Sequence, residues 1–143
     1  MISIAKDIHI NRPAAEVFKF LEDFANDKKW QSDLVGSEIT SSGPIRVGST
    51  AVLAQKFMGT EIRSEVLVTE FEPPRRVGFK TTSGPVQLGG SCTLEEMGGG
   101  THFSVKLEGQ PGGVLKLAEG LLARELEKFL GRGLATLKEI LEA

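Results

Sequence analysis

Residues 114 to 142 contain no proline and set leucines at helical spacing, and that tail constrains everything before it. At about 1.5 Å per residue it predicts a helix of about 43 Å, longer than a small domain is wide. Counted at about 100° per residue, Leu122, Leu126, Phe129, Leu130, Leu137, Ile140 and Leu141 gather on one side, with Arg124, Lys128, Arg132, Lys138 and Glu142 opposite. A stripe that long needs a broad apolar surface to lie on, which the rest of the chain has to supply. Gly133 falls inside the stripe, where glycine costs about 1 kcal/mol relative to alanine. It marks either close backbone packing, against Trp30 or Phe20, or empty volume.

The surface is written in period two. Ile2, Ile4, Ile8 and Ile10 share one face of a first strand, with Ser3, Asp7 and His9 on the other. Lys6 interrupts the apolar face as a strand end or a snorkelling side chain. Pro13 is placed to be the first residue of a helix, and Val17, Phe20, Leu21 and Phe24 give that helix an apolar stripe of about three turns. Asn26 is a candidate cap for a second helical turn carrying Trp30. From Gly36 to Gly109 about six short strands are punctuated by Ser42-Gly43-Pro44, Gly59, Glu72-Pro73-Pro74-Arg75, Ser83-Gly84-Pro85 and Gly98-Gly99-Gly100. Their spacing favours antiparallel hairpins over crossovers. Val77, Phe79 and Thr81 share the apolar face with Val86, Leu88, Gly90, Cys92 and Leu94, and with Phe103, Val105 and Leu107. Between Gly48 and Met58 the facing is open: Leu53 and Phe57 compete with Val52, Ala54 and Met58 for the inward side. A sheet apolar on one face and one long amphipathic helix satisfy each other, which predicts a two-layer α+β fold. At 143 residues the chain is about one domain long, and residues 1–143 read as a single domain.

Little in the sequence carries chemistry. Lys and Arg number 17 against 19 Asp and Glu, a net charge of −2 that argues against a nucleic-acid partner held by phosphate neutralisation. A single cysteine, Cys92, excludes an internal disulfide and a multi-cysteine zinc site; at an apolar strand position it reads as an inert thiol. His9 and His102 fall on polar strand faces without metal-ligand spacing, so no metal is expected. There is no Gly-x-Ser-x-Gly, and Gly89-Gly90 and Gly98-Gly99-Gly100 lack a phosphate-binding context, reading as a strand kink and a hairpin turn. Glu95-Glu96 sits at a hairpin end and reads as solvated. No catalytic acid or base stands out. The polar candidates near the apolar faces are Gln55, Ser64, Thr81, Arg63 and Arg46; Arg63 alternates with Glu65 and Thr69 and points outward. Gln55 and Ser64 each either anchor one polar group of a ligand or serve as satisfied core residues. With no apolar h-region between Met1 and Asn11 and no run of about 18 apolar residues, a soluble cytoplasmic domain is expected.

Four stretches carry a family resemblance: Ile8-His9-Ile10-Asn11-Arg12-Pro13-Ala14-Ala15-Glu16-Val17-Phe18, Asp27-Lys28-Lys29-Trp30, Val68-Thr69-Glu70-Phe71-Glu72-Pro73-Pro74-Arg75-Arg76 and Gly99-Gly100-Thr101. In these, and in its order of elements, the chain resembles the START/Bet v 1-like (SRPBCC) superfamily, and within it the bacterial polyketide cyclase/dehydrase and lipid-transport-like group. The resemblance covers nearly the whole chain, but its motifs are helix start, turns and hairpin closure, which say nothing of a ligand. It implies the helix-grip fold: two short helices after the first strand, and a curved antiparallel sheet of about seven strands wrapped on the long C-terminal helix. It further implies a cavity between the two for a small hydrophobic or aromatic molecule of polyketide, isoprenoid or lipid class. The inward positions then supply the lining. Leu53, Gln55, Phe57, Ser64, Val66 and Phe79 come from the earlier strands, and Leu88, Gly90, Cys92 and Phe103 from the later ones. Leu122, Leu126, Phe129 and Gly133 come from the helix. No cofactor is implied, and a monomer or weak homodimer is expected. Two other functions fit the same resemblance: a polyketide cyclase or dehydratase working by shape and a few polarising groups, and a protein-interaction or assembly-factor module.

Overall fold

A computed structural model describes residues 1–57, 59–111 and 117–143, except for the side chains at 57 and 111. Its seven strands are β1 (Ile2–Ile10), β2 (Leu34–Ile39), β3 (Thr50–Phe57), β4 (Thr60–Glu72), β5 (Arg76–Ser83), β6 (Val86–Met97) and β7 (Gly100–Pro111). They form one antiparallel sheet in the order β1-β7-β6-β5-β4-β3-β2, in which only the β1–β7 pair is not consecutive in sequence. Met97 pairs with Gly100 across a two-residue loop in which Gly98 and Gly99 have φ of 61° and 81°. That left-handed pair is what a two-residue hairpin favours. Register shifts between Leu34 and Gly36 on β2, and between Glu65 and Val66 and Val68 and Glu70 on β4, bend those strands and curve the sheet.

The helices are α1 (Ala14–Glu22), a 3-10 turn (Phe24–Asn26) and α2 (Asp27–Trp30) after β1, and α3 (Glu119–Glu142) after β7. The chain is thus an α+β helix grip. Three local expectations need correction. Pro13 is the extended cap of α1 (φ −61°, ψ 147°) and not its first helical residue. The α1 stripe stops at Glu22, because Asp23 turns extended (φ −86°, ψ 98°) and caps the 3-10 turn by accepting from Ala25 N, which carries Phe24 into a separate turn. Asn26 stands at the N-cap position of α2 but makes no side-chain capping bond there; its amide instead donates to Phe20 O at 2.9 Å.

Helix α3 is 24 residues long over Glu119–Glu142. Residues 114–116 of the expected helix lie outside the described residues, and Leu117 and Ala118 form a 3-10 turn leading into α3, with Ala118 (φ −106°, ψ 22°) as its cap. The helix runs beside β1 in the same direction. Lys6 reaches across the apolar face to Glu127 at 3.3 Å, so it snorkels. Lys138 Nζ donates to His9 O and to Glu142 Oε2, both at 2.6 Å, and Glu142 also accepts from Asn11 N at 2.8 Å. The pair Lys138 and Glu142, placed on the wet side by the helical wheel, therefore ties the end of α3 to β1. Both contacts hold the Glu142 carboxyl below the usual carboxylate range, Lys138 more than the Asn11 amide. The most deeply buried side chains are Phe103, Ile2, Ile10, Leu137, Val17 and Thr101, whose hydroxyl donates to Arg12 O at 2.7 Å. Leu134, outside the stripe that the wheel predicts, is buried with them. Among the described residues no helix is long and apolar enough to cross a membrane.

Candidate functional site

Between the concave face of the sheet and the first half of α3 lies a cavity of about 420 Å³. That is within the size range of small-molecule pockets. Alternation along the strands sets its floor. Ala51, Leu53 and Gln55 come from β3, Ile62, Ser64, Val66 and Val68 from β4, and Val77, Phe79 and Thr81 from β5. Val86, Leu88 and Cys92 of β6 and Val105 and Leu107 of β7 complete it. Leu122, Leu126, Phe129, Leu130 and Gly133 form the roof; Leu21, Phe24, Asp27 and Trp30 form a wall. The exposed lining residues Lys56, Gly59 and Arg132 mark the open side. There Arg132 Nη2 bridges to Asp33 Oδ2 at 3.4 Å, tying α3 to the segment before β2.

The structure brings together Leu53, Gln55, Ser64, Val66, Phe79, Leu88, Cys92, Leu122, Leu126, Phe129 and Gly133. On β3 it settles the facing in favour of Leu53 over Val52 and Ala54. The Phe57 side chain lies outside the described residues. Two expected lining residues are elsewhere. Phe103 faces inward but is 0% exposed, consumed by the packing beside Ile8 and Leu94. Gly90 does not line the cavity either: a Cβ there would fall 2.7 Å from Leu107 Cδ2 and Lys106 O and 3.1 Å from Phe79 Cζ. Gly133 also serves close packing, since its Cβ would lie 3.3 Å from Trp30 Cε3 and Trp30 O. Neither glycine creates the empty volume.

Thr81, Gln55, Ser64 and Cys92 bring polar groups to the sheet side of the lining with very different freedom. The Thr81 hydroxyl is engaged, accepting from Leu88 N at 2.9 Å and lying 3.2 Å from Val86 O. Gln55 and Ser64 make no side-chain hydrogen bond among the described residues, which leaves both available to a ligand; Arg46 and Arg63 do not line the cavity. Cys92 presents its thiol to the cavity, yet burial pushes its pKa up to about 12, with the Asp27 carboxylate adding to the rise. A thiol held neutral is a poor nucleophile.

Asp27 is the residue that sequence reading missed. It stands in the wall of an apolar cavity, and its Oδ2 accepts only a long 3.5 Å hydrogen bond from Ser37 Oγ. Burial pushes its pKa up to about 7, against the pull of Ser37 and with a further push from Asp23. No Lys, Arg or His nitrogen lies within 4 Å of it among the described residues. A signal was present: Asp27 precedes Trp30 by three residues, so an inward Trp30 brings Asp27 onto the same helical side. Trp30 itself is 7% exposed, and its indole Nε1 is buried without a partner among the described residues.

The chain belongs to the family described as polyketide cyclase / dehydrase and lipid transport, whose model matches residues 1–142. Its fold is shared by the protein TTHA0849 from Thermus thermophilus, with a TM-score of 0.84 at 16% identity over 96% of this chain and 94% of that one. The Zhui aromatase/cyclase from a Streptomyces species is similar at a TM-score of 0.82 and 14% identity, over 98% and 93% of the two chains. A START superfamily protein from Mycobacterium smegmatis gives 0.75 and 15%, over 99% and 95%. At such identities the likeness speaks for the fold. No curated protein sequence matches the chain.

Proposed function

We propose that the chain, as a member of that family, binds a small hydrophobic or aromatic molecule of polyketide, isoprenoid or lipid class between sheet and α3. The observation that carries this reading is the 420 Å³ cavity and its lining by aliphatic and aromatic side chains from five strands and α3. Burying an apolar body there contributes about 25 cal/mol per Å² removed from water, so few polar contacts are needed. Gln55 and Ser64, on neighbouring strands and without side-chain partners among the described residues, are suited to orient one polar group of the ligand. Leu53, Val66, Phe79, Leu88, Leu126 and Phe129 would make the apolar contacts. The family description and the fold shared with an aromatase/cyclase agree with such a site.

The test is native mass spectrometry and ligand-observed NMR against a library of lipids and aromatic compounds. Leu126→Trp, which fills the cavity from the roof, serves as the control. Binding that disappears in a folded Leu126→Trp protein supports the reading. Binding to no library member, or binding unaffected by the filled cavity, overturns it.

A further inference from the structure

We propose that the ligand carries a basic nitrogen, and that Asp27 is where the cavity recognises it. This rests on the reading of the cavity as a binding site and narrows its ligand class.

Asp27 is the single ionisable oxygen acid in the apolar wall formed by Leu21, Phe24 and Trp30. Its surroundings offer it no counter-charge among the described residues. On its own segment Asp23 is of like sign, and Lys28 and Lys29 make no ion pair with it. From β2 comes only the Ser37 hydroxyl, and from β6 only the neutral Cys92 thiol. Of the charged groups that α3 sends to the cavity, Glu125 is acidic and Arg132 is bridged to Asp33; Lys56 of β3 is exposed at the open side. The histidines are elsewhere, His9 exposed and His102 bridged to Asp7 at 2.9 Å.

A carboxylate in a low-dielectric wall with one weak donor is half of an ion pair. An ammonium group brought in on an apolar body supplies the other half and adds a charge-assisted hydrogen bond. An alcohol of the same shape can donate a hydrogen bond to the carboxylate but brings no opposite charge. A carboxylate ligand meets like charge, which sets the site against free fatty acids.

Three probes with one two-ring body separate these cases: 1-naphthylmethylamine, 1-naphthalenemethanol and 1-naphthoate, titrated calorimetrically at pH 8. The expected order is amine, then alcohol, then carboxylate, with the amine at least tenfold tighter than the alcohol. In Asp27→Asn the amine should lose tenfold or more while the alcohol changes less than threefold. Lowering the pH of the unaltered protein to 5, where Asp27 takes up a proton, should shrink the amine's advantage several-fold, a readout that needs no variant. Alcohol binding without amine preference, or a preference that survives in Asp27→Asn, overturns the role of Asp27 and leaves the cavity reading standing. Failure of all three probes to bind overturns this inference, and the library experiment above then decides the cavity reading separately.

Discussion

Against β1 and the Thr101–Phe103 end of β7 the interior is solid, whereas over β3, β4 and β5, and on to Val105 and Leu107 of β7, it is hollow, although one sheet floors both halves and one helix roofs them. On the solid side Ile10, Val17, Phe103 and Leu137 are fully buried, and Lys6, Lys138 and Glu142 draw α3 down onto β1. On the hollow side the helix meets α2, where Trp30 fills the notch left by Gly133, and the bulged β4 bends beneath it. The side chains of the two halves are much alike. The difference lies in what spaces the layers: ion pairs and backbone acceptors on one side, an indole on the other. Volume in this protein therefore comes from the frame and not from small residues facing each other.

The contrast is open to breakage in order of expected size. Phe103→Ala, on the solid side, should cost about 4 to 5 kcal/mol in urea unfolding, because a full aromatic side chain is lost and a new void is made. Phe129→Ala, which only enlarges an existing void, should cost no more than about 2 kcal/mol. Equal losses would deny that the halves differ. Asp27 gives the next effect. Its carboxyl keeps a proton up to about pH 7 in the folded protein, against 3.8 as the ordinary value. The folded state therefore binds more protons between those two pH values, and stability falls as pH rises across that window, by up to about 4 kcal/mol. Asp27→Asn should flatten that slope, leaving stability similar to the parent near pH 4 and higher near pH 8. A slope unchanged by the substitution would place the charge outside the buried wall.

Two glycines of α3, two residues apart, sharpen the comparison further. Gly133→Val drives side-chain carbons into Trp30 and should cost about 2 kcal/mol. Gly131 has nothing within 4 Å of its would-be Cβ, so Gly131→Ala should raise stability by about 1 kcal/mol through helix propensity alone. Smallest of all, Arg132→Ala removes an exposed ion pair with Asp33 and should change unfolding stability by no more than about 0.5 kcal/mol.

Much of this was legible in the residues. The alternation of Val77, Phe79 and Thr81, and of Leu88 and Cys92, requires one apolar sheet face, and that face is the cavity floor. The α3 stripe named its roof. Periodicity reports which way a side chain points and not what it meets, so Phe103 and Leu88 looked equivalent although one is packed solid and the other borders a void. Gly133 was ambiguous for the same reason until Trp30 was seen against it. Asp27 was hidden differently: a helix of four residues is too short for a period, and a polar residue at its start reads as ordinary turn chemistry. Lys138 and Glu142 deceived because hydrogen bonds to the backbone at His9 and Asn11 obey no helical wheel.

Methyl NMR during titration with 1-naphthalenemethanol tests the hollow half most directly. Methyl signals of Leu53, Val66, Leu88 and Leu126 should move together and saturate, with those of Ile10, Val17 and Leu137 staying in place. Saturable shifts confined to the second group, or spread evenly over both, would contradict a single vacant side beneath α3.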